Sequence, residues 1–212
     1  MALHYTQVIQ RKSDYVDAYY NRGIVYHTKD NYNLAIADFT QVIQLKSDFA
    51  EAYNERGTAY GNKDDFNHAM ADFTKAIELK DDFAEAYNNY GMAYGKQGDF
   101  DNAIKNCTKA IELKSDYVNA YDNRGMAYYG KGDDDRAIAD FTKAIQLKPD
   151  YAEAYYNRGL AHYEKADYIS AIEDFTEIIQ LKPDYAEVYC NRGNSYSSIG
   201  KPDNAIKDFN KA

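Results

Sequence analysis

Gly23, Gly57, Gly91, Gly125, Gly159 and Gly193 recur every 34 residues without interruption, and no other property of this 212-residue chain limits its fold as tightly. Three more columns keep the same frame. Tyr19, Tyr53, Tyr87, Tyr121, Tyr155 and Tyr189 form one, and Ala35, Ala69, Ala103, Ala137, Ala171 and Ala205 form another. The third is aromatic except once: Phe39, Phe73, Cys107, Phe141, Phe175 and Phe209. Such a period marks a repeat architecture, in which each unit is one supersecondary element that cannot bury its apolar face alone. The repeats run 16–49, 50–83, 84–117, 118–151, 152–185 and an incomplete 186–212, and residues 1–15 match only the second half of a repeat.

Within 152–185, Ala152, Tyr155, Gly159 and Ala161 fall near one helical face, and Tyr168, Ala171, Ile172, Phe175, Ile178 and Ile179 do so again further on. Each repeat therefore predicts a helical hairpin. The breaks between its helices are polar and carry Gly or Asp, as in Lys29-Asp30-Asn31, Gln97-Gly98-Asp99 and Lys131-Gly132-Asp133. At the repeat boundaries Asp48 with Glu51, Asp82 with Glu85, Asp150 with Glu153 and Asp184 with Glu187 have capping-box spacing, which predicts Asp as the cap of the next helix. Gly at the eighth place and Ala at the twentieth let two helices approach closely. The 23 Tyr and 9 Phe fill the space between layers.

The period, the Tyr-x-x-Arg-Gly-x-x-Tyr spacing, the Ala-x-x-x-Phe of the second helix and the repeat-end Pro149 and Pro183 resemble the tetratricopeptide repeat. The resemblance covers essentially the whole chain. It implies an all-α fold, a right-handed superhelical solenoid of antiparallel helix pairs forming one domain. This sequence departs from the family pattern in carrying Tyr for the usual Trp and mostly Arg for the Leu before Gly. Ser13, Ser47, Asp81 and Ser115 stand where the repeat-end Pro is expected, and Asp134 replaces the aromatic of Tyr32, Phe66, Phe100 and Tyr168, which predicts local loosening.

In this family the first helices of successive repeats line a concave face, with places 2, 5, 6, 9, 12 and 13 exposed on it. Here the sixth place reads Asn21, Glu55, Asn89, Asn123, Asn157 and Asn191. Asn is a mediocre helix former, so propensity does not explain the column. A side-chain amide suits bidentate bonding to the backbone of an extended peptide. Duplication of one ancestral repeat would leave the same column without any binding role, and that alternative stays open at this level. The ladder resembles that of glycosyltransferase-associated repeats. The resemblance thus implies a non-catalytic protein–protein interaction scaffold that takes a peptide in its groove, or alternatively the substrate-recognition segment of a larger enzyme such as a glycosyltransferase. The candidate site comprises Asn21, Asn89, Asn123, Asn157 and Asn191 with Tyr129, Tyr156 and Tyr163 beside them. Asp17, Glu51, Glu85, Asp122, Glu153 and Glu187 make the wall acidic, so the expected partner is a neutral-to-basic protein or peptide.

Other chemistries find little support. Net charge is −9, from 25 Lys and Arg against 34 Asp and Glu, which repels nucleic-acid phosphate and anionic lipid. Gly125-Met-Ala-Tyr-Tyr-Gly130-Lys131 approaches a phosphate loop, but Gly132 follows where Ser or Thr must hold magnesium. Gly132-Asp133-Asp134-Asp135 lacks the Gly and closing Glu of a calcium loop. His4, His27, His68 and His162 have no metal-ligand spacing, and no nucleophile, base and orienting acid assemble locally, so neither a cofactor nor catalysis is expected. Cys107, in the Phe column, reads as a buried small hydrophobe. The absence of a signal sequence, a membrane-length apolar run and a disulfide framework favours the cytoplasm.

Two further expectations concern packing. Arg22, Arg56, Arg124, Arg158 and Arg192 precede the Gly column and are matched by Asp38, Asp72, Asp140, Asp174 and Asp208, whereas Tyr90 is matched by Asn106. This joint change predicts an Arg–Asp pair inside each hairpin. The last helix is expected over 204–212, with Ala205, Ile206, Phe209 and Ala212 forming an exposed apolar stripe, as Tyr5, Val8 and Ile9 do at the other end. Such faces predict either a longer native chain or end-to-end self-association.

Overall fold

The computed structural model describes all residues, 1–212, and contains thirteen α-helices and no strand. They divide into two compact units, Met1–Lys114 and Ser115–Ala212. The first holds α1 (Ala2–Arg11), α2 (Val16–His27), α3 (Tyr32–Leu45), α4 (Ala50–Gly61), α5 (Phe66–Leu79), α6 (Ala84–Lys96) and α7 (Phe100–Leu113). The second holds α8 (Val118–Gly130), α9 (Asp134–Leu147), α10 (Ala152–Glu164), α11 (Tyr168–Leu181), α12 (Ala186–Ser198) and α13 (Pro202–Phe209). Every repeat begins on the first residue of a helix, here called its A helix, and the B helix follows after a short turn. Each A helix packs on its own B helix, and within each unit B packs on the next A helix, as in α3 on α4 and α9 on α10. No helix is long and apolar enough to cross a membrane.

The Gly and Phe columns meet across each hairpin. A Cβ added to Gly159 would stand 2.8 Å from the Phe175 ring, and at Gly23 the distance to the Phe39 ring would be 2.6 Å. The ring thus lies where an A-helix side chain would have been, and Phe39, Phe73, Phe141 and Phe175 are almost wholly buried. In the third repeat Cys107 replaces the ring. There the Cys107 Sγ stands 2.5 Å from the corresponding point at Gly91, so the sulfur takes the place of the ring edge.

The turn between A and B helices needs one residue with a left-handed backbone. Gly98, Gly132 and Gly200 supply it at φ 72–79°, while Asp30, Asp64 and Ala166 adopt φ 57–58°. Asp65, Asp99, Asp133 and Asp167 then cap the B helices, each accepting from the backbone N–H three residues on.

The capping boxes expected at the repeat boundaries do not form. The A-helix N-caps are Tyr15, Phe49, Phe83, Tyr117, Tyr151 and Tyr185, without side-chain cap bonds, and Asp48, Asp82, Asp150 and Asp184 lie one residue too early. The boundary aromatic occupies the cap because its ring turns back onto the preceding A helix, as Phe49 does in stacking on Tyr20 with centroids 5.1 Å apart. Glu51 and Glu153 keep a first-turn place, favourable to the helix dipole.

Where the missing aromatic at Asp134 predicts loosening, α9 begins at the same repeat place as its counterparts. Arg136 covers the Tyr128 ring at 4.4 Å. At the chain end α13 stops at Phe209, short of Ala212, and Ala205 is buried; Ile206 and Phe209 remain exposed.

All five expected Arg–Asp pairs form, each between an A helix and its own B helix. The third repeat replaces the pair by hydroxyls: Tyr94 donates to the Tyr90 oxygen at 2.9 Å, and Asn106 turns to the Asn102 carbonyl.

Candidate functional site

The A helices place their second, fifth, sixth, ninth and twelfth residues along one side of each unit, because steps of three and four follow one helical face. In the Met1–Lys114 unit, Asn89 on α6 donates its Nδ2 to Asn54 Oδ1 on α4 at 3.0 Å and lies 3.3 Å from Thr58 Oγ1, while its own oxygen receives Asn88. Asn54 is buried and donates in turn to Glu85. Burial pushes the Glu85 carboxyl above its ordinary value, and the neighbouring Glu55 adds to the rise. Asn21 is exposed, and its amide folds back onto the Asp17 carbonyl of its own helix at 2.7 Å. Glu55, the exception in the Asn column, lies 3.7 Å from His27.

The Ser115–Ala212 unit repeats the pattern with different partners. Asn157 on α10 donates Nδ2 to Asp122 Oδ1 on α8 at 3.1 Å, and Asn191 on α12 donates to the Tyr156 hydroxyl oxygen at 3.3 Å. Tyr156 itself donates to Glu187 Oε1 at 2.7 Å, and its own ionisation is pushed up to about 12, by burial first and then by that bond. The sixth-place Asn is thus a strap to the fifth place of the preceding repeat, a role the in-repeat reading did not contain. What remains uncommitted on Asn157 and Asn191 is the amide oxygen, an acceptor, together with the second N–H, because each bond uses one hydrogen of the nitrogen.

Tyr129 and Tyr163, about two turns further along their helices, are half-buried. Tyr129 leans on the Ala137, Phe141 and Ala161 cluster, and Tyr163 packs against the core around Phe175 with its ring edge toward Tyr168. Each leaves only part of its ring to the open face. Asn123 is half-buried on α8, directly after Asp122.

Asp122, Met126, Glu153, Tyr156, Asn157, Lys182 and Tyr185 line a cavity of about 390 Å³ beside these straps. Asp122 is only 8% exposed, and burial pushes its carboxyl up to about 6, with Glu153 adding to the rise against the hydrogen bonds from Asn157 and Tyr151. Lys182 holds Glu153 at 3.0 Å, which brings that carboxyl below its ordinary value. Tyr156 and Tyr185 stack at 5.9 Å and 19°. Sequence reasoning had not placed Tyr185 or Lys182 at the site. Its available signal was the unbroken boundary column of aromatics, Tyr15 to Tyr185, one residue before each A helix.

The repeats match established sequence families. The tetratricopeptide repeat profile matches residues 16–49, 50–83, 84–117, 152–185 and 186–212, and a related TPR repeat profile matches 126–166. No curated protein sequence matches the chain. Among solved structures, a MamA protein is 28% identical with a TM-score of 0.69, covering 76% of this chain and 88% of its own. YrrB, described as a TPR protein with an unusual peptide-binding site, is 23% identical with a TM-score of 0.65, covering 89% and 97% respectively. A chain of the APC/C hetero-tetramer Cut9-Hcn1 is 20% identical with a TM-score of 0.84; the match covers 99% of this chain and 42% of that one.

Proposed function

The chain belongs to the tetratricopeptide repeat family, a fold of protein–protein interaction, and from that premise we propose that it is a non-catalytic scaffold whose A-helix faces hold an extended, neutral-to-basic peptide. The observation that carries this reading is the pair of amide oxygens on Asn157 and Asn191, left over once their nitrogens are tied to the preceding repeat. Such oxygens accept backbone N–H groups of a ligand irrespective of its sequence. Being strapped, they are held in one rotamer before the ligand arrives, which lowers the ordering cost of binding. Asp122, Glu153 and Glu187 set the sign of the preferred ligand, and Met126, Tyr156 and Tyr185 offer apolar and aromatic surface to its side chains. Asn89 spends its oxygen as well as its nitrogen internally and contributes less, and Asn21 is tied to its own helix rather than to a preceding repeat. Asn123, Tyr129 and Tyr163 extend the same face.

Panning a random peptide phage library against the purified chain, followed by measured affinities for a recovered peptide, tests the reading. Asn191→Ala removes one acceptor while Tyr156 keeps Glu187, and affinity is expected to fall roughly fivefold if one net hydrogen bond is worth about 1 kcal/mol. Glu177→Ala, on the exposed side of α11, is expected to change nothing. Failure to recover any peptide, or loss of affinity in Glu177→Ala with none in Asn191→Ala, overturns the assignment.

A further inference from the structure

Six aspartates of this chain are buried: Asp38, Asp72, Asp122, Asp140, Asp174 and Asp208. Five of them receive an arginine of their own hairpin in a two-pronged bond. Asp122 does not. Its bonds come from the neutral Asn157 amide and the Tyr151 hydroxyl, and the cation nearest in its cavity, Lys182, is paired with Glu153. A buried carboxylate without a cation bears a desolvation cost, which these two neutral hydrogen bonds offset only in part.

The chain's own arginines show what satisfies such a group. Arg158 sends two N–H groups to Asp174 and lies over the Tyr155 ring at 5.5 Å, so one guanidinium meets a carboxylate and a tyrosine face together. The cavity beside Asp122 offers the same two receivers, a carboxylate and the stacked rings of Tyr156 and Tyr185, with no guanidinium from the chain itself. Met126, 43% exposed, provides an apolar edge against which the methylenes of a long side chain can lie. The volume, about 390 Å³, lies in the range of pockets that take a whole ligand group.

We propose, resting on the reading that this face holds a peptide, that the pocket formed by Asp122, Met126, Glu153, Tyr156 and Tyr185 seats one arginine side chain of that peptide. Arginine fits better than lysine because its planar fork can hydrogen-bond the Asp122 carboxylate while stacking on an aromatic ring, whereas an ammonium is a hydrated point charge. The elevated affinity of Asp122 for a proton agrees with this, since the group is strained by its negative charge and gains from any cation brought to it.

The test uses the full chain and two fluorescein-labelled pools of nine-residue peptides, randomised except for a central arginine in one and citrulline, its neutral isostere, in the other, with binding read by anisotropy. The arginine pool is expected to bind roughly tenfold more tightly, given the strength of a charge-assisted bond combined with cation–π contact. Asp122→Asn, which installs the residue already present at Asn54 and Asn88, is expected to bring the ratio close to one. Met126→Arg, made at an exposed position, is expected to do the same by supplying an internal competitor. Equal binding of both pools to the unaltered chain, weakened by Asn191→Ala, overturns the arginine pocket while leaving the peptide groove standing. Binding of neither pool overturns both. An arginine preference that persists in Asp122→Asn places the cation elsewhere and overturns the pocket. Arginine amide alone binding as tightly as the arginine pool overturns the peptide as the source of the side chain.

Discussion

Arg158 and Asp174, sixteen residues apart in sequence, close a two-pronged ion pair across their hairpin, with Nε to Oδ2 at 2.9 Å and Nη2 to Oδ1 at 2.6 Å. The third guanidinium nitrogen, Nη1, reaches the Thr142 hydroxyl of the preceding repeat at 3.0 Å. One side chain therefore fastens its own hairpin and links it to a neighbour. Arg22 with Thr6, Arg56 with Thr40 and Arg192 with Thr176 do the same. The Asp174 side chain is 5% exposed, so removing one partner leaves a charge that water reaches poorly.

Asp174→Ala is accordingly expected to cost about 3 kcal/mol of unfolding free energy, measured by urea denaturation. The double change Arg158→Tyr with Asp174→Asn copies the Tyr90 and Asn106 solution already present in the chain. It is expected to recover more than half of that loss. A single-mutant cost below about 0.5 kcal/mol, the size of an exposed pair, would show the clasp to be energetically idle.

Asp122 predicts an unusual pH dependence. Its folded pKa, about 6, lies above the ordinary carboxylate value, so the folded state binds this proton more tightly than the unfolded chain does. The group then adds stability as pH falls through about 6 toward about 4, and subtracts it at neutral pH by an amount on the order of 3 kcal/mol. Asp122→Asn should be the more stable protein at pH 7, with its advantage shrinking to nothing near pH 4. The difference between the two proteins is the quantity to follow, because carboxyls such as Glu51 and Asp167, held below their ordinary values, lose stability in the same acid range. A constant difference across that range contradicts the prediction.

Ala166 holds a left-handed backbone at φ 58°, where Gly98, Gly132 and Gly200 hold the corresponding turns. A Cβ costs roughly 1 kcal/mol in that conformation. Ala166→Gly is expected to raise the melting temperature by a few degrees, and Gly132→Ala, with no atom near the added Cβ, to lower it by a similar amount through the backbone alone. Opposite signs in calorimetry check the pair together.

Gly159→Ala separates helix propensity from packing. Propensity alone favours the change by about 1 kcal/mol. The new Cβ, however, would stand 2.8 Å from the Phe175 ring, which is wholly buried, so a net loss of about 1–3 kcal/mol is expected. Phe175→Leu introduced with it should relieve part of the strain. A stabilised single mutant in thermal denaturation would mean that the ring can move.

The 34-residue period determined where every A helix starts, because hydrophobic spacing and turn residues act over distances within one hairpin. The Arg and Asp columns likewise named their own contact, sixteen residues apart inside a single repeat, whereas the Gly column marked a close approach of two helices and the structure identified the Phe ring that fills it. Contacts from one repeat to the next were not legible in this way. The sixth-place Asn meets the fifth place of the preceding repeat, and that place is Asn54, Asp122 or Tyr156, chemically unlike residues sharing only an oxygen that can accept. No column of identity marks such a bond, since its geometry is set by how one hairpin rotates onto another. The same packing moved the helix cap from Asp to the boundary aromatic, whose ring had to reach the A helix before it. It also left Asp122 buried without a cation, a property of position in space that no residue pattern records.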